Sequence, residues 1–153
     1  MKKKIIICII LTMMSAVVSA QSYIQVDRVY SGSGVDKTLT LTIRNLSDKE
    51  MLIRNKTEIC PTCSNITYRY LSNNGTVLYW SWTSPKSDFQ YHILIPAQSS
   101  KSYTFNIGTA ARYPISNVNR NDIRTIQLQV WISYGILGLN YRGIFDETDS
   151  VPF

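Results

Sequence analysis

One histidine in 153 residues, His92, leaves little room for hydrolytic chemistry. A serine triad needs an imidazole beside a hydroxyl and a carboxylate, and His92 lies between Tyr91 and Ile93 in an alternating run, as a strand residue would. Acidic residues are too scattered to supply the paired carboxylates of a glycosidase, and Asp146, Glu147 and Asp149 sit together near the C-terminal end. Basic residues are dispersed too: Lys37, Arg44, Arg54, Lys56, Arg69 and Lys86 fall in different segments. A nucleic-acid binder would gather them on one face, so no nucleic-acid partner is expected. Cysteine is confined to Cys8, Cys60 and Cys63, and a zinc centre at the last two would need two further ligands. The glycines of Ser31-Gly32-Ser33-Gly34 lack the strand-to-helix context in which a Gly-rich loop cradles phosphate, and they read as a turn. No motif asks for a metal or a cofactor. Internal repeats, low-complexity blocks and any long helical period after residue 20 are also missing.

What is present begins at the N-terminus. Lys2, Lys3 and Lys4 lead into the apolar run Ile5 to Met14, and the small-residue tripeptide Val18-Ser19-Ala20 follows. This pattern predicts a signal peptide over residues 1–20, cleaved before Gln21. The apolar run falls short of the roughly 20 residues a membrane span requires, so no integral span is expected after processing, and the mature chain is expected in the periplasm or medium. Cys8 lies inside the run and leaves with it, whereas a lipoprotein cysteine would be the first mature residue. The 133 residues that remain suit one domain. Loss of the three lysines halves the net charge from +6 to +3.

Alternation with a period of two recurs from Ile24 to Phe145 and predicts an all-β fold. In Thr38 to Arg44, Leu39, Leu41 and Ile43 point one way and the threonines and Arg44 the other, a sheet with one buried face. Met51 to Arg54 follows the turn Asn45 to Lys49. Ile66 to Leu71 and Val77 to Trp82 flank Asn73-Asn74-Gly75, a strong hairpin signal. With Asn74-Gly75 as a two-residue type I′ loop, Tyr70 pairs with Tyr79, Leu71 with Leu78 and Arg69 with Trp80. Tyr91 to Ile95 and Ser102 to Ile107 form another hairpin-like unit. Residues 108–122 read as a long connection with one short helical turn near Asn119 to Asp122. Arg124 to Tyr134 is the clearest core strand, with Ile126, Leu128, Val130, Ile132 and Tyr134 on one face. After a turn over Gly135 to Gly138 the chain returns through Asn140 to Phe145, and the acidic tail at 146–153 is expected to be loose. Eight or nine strands at this spacing predict an immunoglobulin-like antiparallel β-sandwich over residues 21–145, with a barrel as the alternative.

Two features invite function. Cys60-Pro61-Thr62-Cys63 is expected to close a structural loop disulfide, which export favours and which stabilises by about 2 kcal/mol in the chain-entropy model. The same spacing suggests a thiol oxidoreductase as an alternative, but the βαβ context of thioredoxin-like sites is missing. The second feature is aromatic: Tyr68, Tyr70, Tyr79, Trp80, Trp82, Phe89 and Tyr91 fall within 24 positions. One face of the hairpin carries Tyr68, Tyr70, Val77 and Tyr79, and the other carries Arg69, Leu71, Leu78, Trp80 and Trp82. Either Trp80 and Trp82 fill the core while the tyrosines coat the outside, with Arg69 stacked on a ring, or the hairpin presents a patch that stacks on a sugar or anchors a protein. Tyr68, Arg69, Tyr70, Tyr79, Trp80 and Trp82 are therefore candidate ligand contacts, joined by Trp131 on the polar face of its strand. Four Asn-x-Ser/Thr triplets begin at Asn45, Asn55, Asn65 and Asn74. They would be glycan acceptors in a eukaryotic secretory chain, but the lysine-led, isoleucine-rich leader has a bacterial character and they read as unmodified.

The Asn74-Gly75 turn, Val77-Leu78-Tyr79-Trp80-Ser81, Phe89, and Leu94-Ile95-Pro96 before Ser99, Ser100 and Tyr103 resemble the intracellular proteinase inhibitor family of bacterial immunoglobulin-like domains. The resemblance covers about 34 residues and implies the sandwich fold and, as an alternative function, a secreted proteinase inhibitor. Gln98 stands where that family's pattern favours glycine after the proline, and a signal peptide departs from an intracellular role. The leading expectation is an exported, non-enzymatic binding or assembly module whose partner is a protein or a cell-envelope glycan, met through the aromatic hairpin or an open sheet edge.

Overall fold

Residues 22–54, 64–83, 92–109 and 118–153 are described by a computed structural model of the chain. The described residues form nine strands, β1 (Ile24–Ser31), β2 (Thr38–Asn45), β3 (Met51–Arg54), β4 (Asn65–Leu71), β5 (Val77–Thr83), β6 (His92–Ile95), β7 (Ser100–Asn106), β8 (Thr125–Ile136) and β9 (Tyr141–Pro152). Helix among them is limited to short 3₁₀ turns, one of them at Arg120–Asp122, where the sequence predicts a helical turn.

All pairings are antiparallel. One sheet has the order β1-β2-β7, and the other runs β5-β4-β8-β3-β6 with β9 beside β8. The second sheet takes that shape because β8 is long enough to hold two short strands along one edge. β4 pairs with Thr125 to Trp131, β3 pairs with Tyr134 to Ile136, and β9 lines the opposite edge of β8 throughout. Ser64 closes the step between β3 and β4. Its N–H donates to Arg54 O at 2.7 Å, and its hydroxyl donates to Ser133 O at 3.1 Å and accepts from Ser133 N–H at 2.8 Å. No ladder joins the two sheets among the described residues, which form the expected immunoglobulin-like sandwich and not a barrel.

Burial follows the alternation of the sequence. Along β8 every second residue from Ile126 to Ile136 is buried, and Leu39, Leu41 and Ile43 of β2 face them from the other sheet. Each such side chain contributes on the order of 2 kcal/mol of transfer free energy. The outer face of the smaller sheet is polar, with cross-strand hydroxyl pairs Thr40–Thr104 and Thr42–Ser102 at 3.1 and 2.8 Å.

Three polar ties hold the sheets together. The Tyr70 hydroxyl, fully buried, donates to Ile107 O at 2.8 Å. The buried Asn45 amide donates to Lys49 O, Ile95 O and Pro96 O and accepts from the Ser47 N–H and hydroxyl. This triplet is thus consumed by the fold. At the open edge, Arg28 of β1 pairs with Glu147 and Asp149 of β9, and the Tyr30 hydroxyl donates to Asp149.

That last tie corrects the expectation of a loose acidic tail. Residues 146–152 are strand, paired with β8 from Asp146↔Trp131 to Pro152↔Thr125. Phe145, Val151 and Phe153 pack against the core in phase with Glu147 and Asp149, whose charge is met by Arg28 across the sandwich. The Asn-Gly hairpin is also built differently. Ser72 N–H donates to Thr76 O and Gly75 N–H to Ser72 O, a three-residue loop in which Gly75 alone is left-handed, with φ +80°. Such a loop would move every following side chain to the other face. An irregularity restores the register: Leu71 pairs with Val77, Leu78 is the extra residue, and Tyr70↔Tyr79 and Arg69↔Trp80 stand as expected. Gly135, expected in a turn, is inside β8. Gln98 has φ +53°, a conformation that favours glycine, and its side-chain amide offsets the strain by donating to Leu46 O and Ser47 O.

Candidate functional site

β8 decides which side of the aromatic hairpin faces inward. Its Ile126, Leu128 and Val130 point into the core, so their partners Tyr70, Tyr68 and Ile66 on β4 do as well, and across β4 so do Tyr79, Ser81 and Thr83 of β5. The tyrosines are therefore the inner face. Tyr70 is fully buried, and the rings of Tyr68 and Tyr79 stand 5.9 and 5.4 Å from its own, with Phe153 at 5.7 Å. Burial holds the Tyr68 hydroxyl above the usual phenol range, although a hydrogen bond with Ser81 opposes the shift. Tyr70 is corrected as a candidate ligand contact: a side chain with no exposed surface touches no external ligand. Tyr68 and Tyr79 are half-buried beside it.

The tryptophans take the opposite face, the reverse of the arrangement in which they would fill the core. Trp80 is 62% and Trp82 42% exposed, two residues apart on the edge strand β5. Across the sheet, one row runs Trp80, Arg69, Gln127, Ser150 and the next Trp82, Thr67, Gln129, Thr148. A third row sets Asn65, Trp131 and Asp146 side by side. Between the indoles of β5 and strand β9 lies a shallow depression of about 200 Å³ lined by Thr67, Arg69, Gln127, Gln129 and Thr148. Its polar groups are arranged by neighbours: Arg69 donates to Gln127 at 3.5 Å, and Gln129 donates to Asp146 at 2.9 Å. Trp131 is half-buried at the end of this surface, and its Nε1 has no partner among the described residues.

Of the expected contacts, the structure thus brings Arg69, Trp80, Trp82 and Trp131 onto one face and withdraws Tyr68, Tyr70 and Tyr79 to the other. The amides of Gln127 and Gln129 between them were missed, although their alternation with Ile126, Leu128 and Val130 marked them as outward-facing. Cys60 and Cys63 lie outside the described residues, as do Phe89 and Tyr91. His92 is half-buried on β6 opposite Arg54. Among the described residues no three His, Cys, Asp or Glu side chains gather as a metal would need, and no helix is long and apolar enough to cross a membrane. An indole platform with amides, hydroxyls and a guanidinium beside it can stack on a ring and hydrogen-bond its polar groups.

The sequence matches no protein-family model and no curated protein. Solved structures that align with this chain include a structural genomics target designated SoR45, at 11% identity and a TM-score of 0.45, with 83% of this chain and 82% of that one aligned. A penta-heme cytochrome c552 from Thermochromatium tepidum aligns at 8% identity and TM-score 0.40, over 86% of this chain and 40% of its own. A protein from Archaeoglobus fulgidus aligns at 10% identity and TM-score 0.37, over 84% of this chain and 95% of its own.

Proposed function

We propose that this chain is an exported, non-enzymatic binding module that holds a cell-envelope glycan against the outer face of its larger sheet. The observation that carries the reading is the pair of exposed indoles, Trp80 and Trp82, beside a depression lined by amide, hydroxyl and guanidinium groups. A pyranose presents a C–H face that stacks on an indole and a rim of hydroxyls that need donors and acceptors, and both are supplied here within four adjacent strands. A protein partner would use the same tryptophans as anchors. The neutral Gln127, Gln129, Thr67 and Thr148 beside them favour a ligand whose polar groups are hydroxyls. Export rests on the leader pattern of residues 1–20.

Titration of the purified protein with soluble envelope polysaccharide, followed by tryptophan fluorescence, tests the proposal. Each indole at such a site is worth about 2 kcal/mol, so Trp80→Ala and Trp82→Ala should each weaken binding roughly thirtyfold with the fold intact. Equal binding by the double variant would end the reading.

A further inference from the structure

Beyond Trp131, β8 carries its outer face on through Ser133 and Gly135. A cleft of about 250 Å³ opens over Gly135, whose cross-strand neighbours are Leu52 of β3 and Arg142 of β9, and its lining includes Arg54, Ser133 and Asn140. Three observations set it apart.

The first is the glycine. A glycine inside a strand weakens it, and it commonly marks a close approach by another group. Gly135 is not demanded by conformation, since its φ is not positive. Nor is it demanded by packing, since a Cβ there would meet only Tyr141 O at an ordinary 3.4 Å. What the missing side chain does is keep the cleft open.

The second is charge. Arg54 and Arg142 are exposed, and neither guanidinium has an ion-pair or hydrogen-bond partner among the described residues, whereas those of Arg28 and Arg44 are both paired with carboxylates. No described Asp or Glu lines the cleft. β3 and β9 flank β8 at about 4.8 Å on either side, so the two guanidinium groups reach the same short span of β8 from opposite directions. The third is size. The volume is below the roughly 300–1,000 Å³ of pockets that enclose a whole small molecule, which suits one charged group with its carrier left outside.

We propose that this cleft binds a single oxyanion, a carboxylate or a phosphate, between Arg54 and Arg142 over the bare backbone of Gly135. Guanidinium groups match such oxygens in paired geometry, and Asn140 and Ser133 add polar atoms at the wall. The site is independent of what Trp80 and Trp82 hold.

Isothermal titration of the Trp80→Ala/Trp82→Ala protein, in which the indole platform is removed, with glucuronate, inorganic phosphate and glucose tests it. One-site binding of glucuronate, of phosphate or of both is expected, with none of glucose; glucuronate alone assigns a carboxylate and phosphate alone a phosphate. Arg54→Gln and Arg142→Gln, both exposed and away from the core, should each weaken binding roughly tenfold with unchanged melting temperature, the loss of one charge-assisted contact. Gly135→Val should block the cleft. Silence with both anions, equal binding of glucose, or undiminished binding by the double arginine variant would overturn the proposal.

Discussion

Replacing Asn45 by aspartate changes one atom of a buried side chain and reverses its hydrogen bonding. The Asn45 amide nitrogen lies 2.7, 3.0 and 3.0 Å from the carbonyl oxygens of Lys49, Ile95 and Pro96, while its oxygen accepts from the Ser47 N–H. The backbone N–H fixes which end of the amide is which, so aspartate cannot fit by flipping. At neutral pH a carboxylate oxygen would then face three carbonyl oxygens with no donor between them. Two N–H hydrogen bonds are lost at about 1–3 kcal/mol each when the acceptors stay buried, and the desolvated charge adds to this. A total of about 3–5 kcal/mol follows, against about 5–15 kcal/mol for a whole domain. Urea unfolding is the assay: with a slope of about 1–3 kcal/mol per molar, the midpoint should fall by about 2 M. A second reading separates this cause from simple misfit. Carbonyl dipoles and burial raise the folded-state pKa of the introduced carboxyl group above the unfolded value of about 3.9. A group shifted upward contributes stability that is full below its unfolded pKa and is lost as pH rises through its folded pKa. The deficit of Asn45→Asp relative to the natural protein should therefore shrink as pH is lowered from about 7 to about 5, because the protonated acid can donate again. A midpoint within about 0.3 M of the natural protein at neutral pH, or a deficit that grows on acidification, would refute the reasoning.

Tyr70→Phe removes the hydroxyl that satisfies Ile107 O and should cost about 1–2 kcal/mol in chemical unfolding, with the aromatic packing kept; no loss would mean that the carbonyl finds another partner. Gly143→Ala places a Cβ against the Tyr134 ring, 2.6 Å from its hydroxyl oxygen and closer still to its carbon, and should cost about 1–3 kcal/mol. Gly135→Ala, on the neighbouring strand, should be neutral or stabilising by up to about 1 kcal/mol, and a reversal of that order would contradict the geometry. Burial first, and for Tyr30 also its hydrogen bond to Asp149, holds the hydroxyls of Tyr30, Tyr68, Tyr103 and Tyr134 above the ordinary phenol range. For groups raised in the folded state, stability is full below the unfolded pKa of about 10 and is lost above it. The melting temperature should fall steeply in that window, and spectrophotometric titration should show several phenols ionising only as the chain unfolds. Smooth ionisation of every tyrosine in the folded protein would argue against the packing described.

Where one side of a strand is plainly apolar, the sequence was enough to read the fold. β2 and β8 are legible residue by residue, because Leu39, Leu41 and Ile43, and Ile126 to Ile136, repeat with the period of a pleated strand. β9 was not legible past Phe145, since Glu147 and Asp149 occupy inward-leaning positions that Arg28, 119 residues away from Glu147, and Tyr30 make acceptable. The orientation of the aromatic hairpin was hidden for a different reason. Both of its faces carry large rings, so composition cannot choose, and the choice is made by pairing: β8 dictates the phase of β4, β4 that of β5, and an extra residue at Leu78 corrects the phase that a three-residue loop would upset. The Gly135 cleft left only the trace of a glycine, which reads as a turn until the strand is seen to run through it.

The two faces of the larger sheet answer to different demands. Inside, each position is constrained by a neighbour it must fit, and the tyrosines satisfy that constraint with their rings packed and the Tyr70 hydroxyl bonded. Outside, the fold asks only for polarity, yet the face carries exposed indoles at Trp80 and Trp82, two arginines unpaired among the described residues and an in-strand glycine that neither φ nor packing requires. A glycine in a strand costs about 0.5–1 kcal/mol relative to alanine, and unpaired surface arginines return nothing to stability. These features are local departures from what folding favours, and they share one face of one sheet. Departures of that kind concentrate at functional surfaces, which is the physical reason for proposing that ligands meet the outer face of the sheet formed by β5, β4, β8, β3 and β9 and not the threonine-coated face opposite.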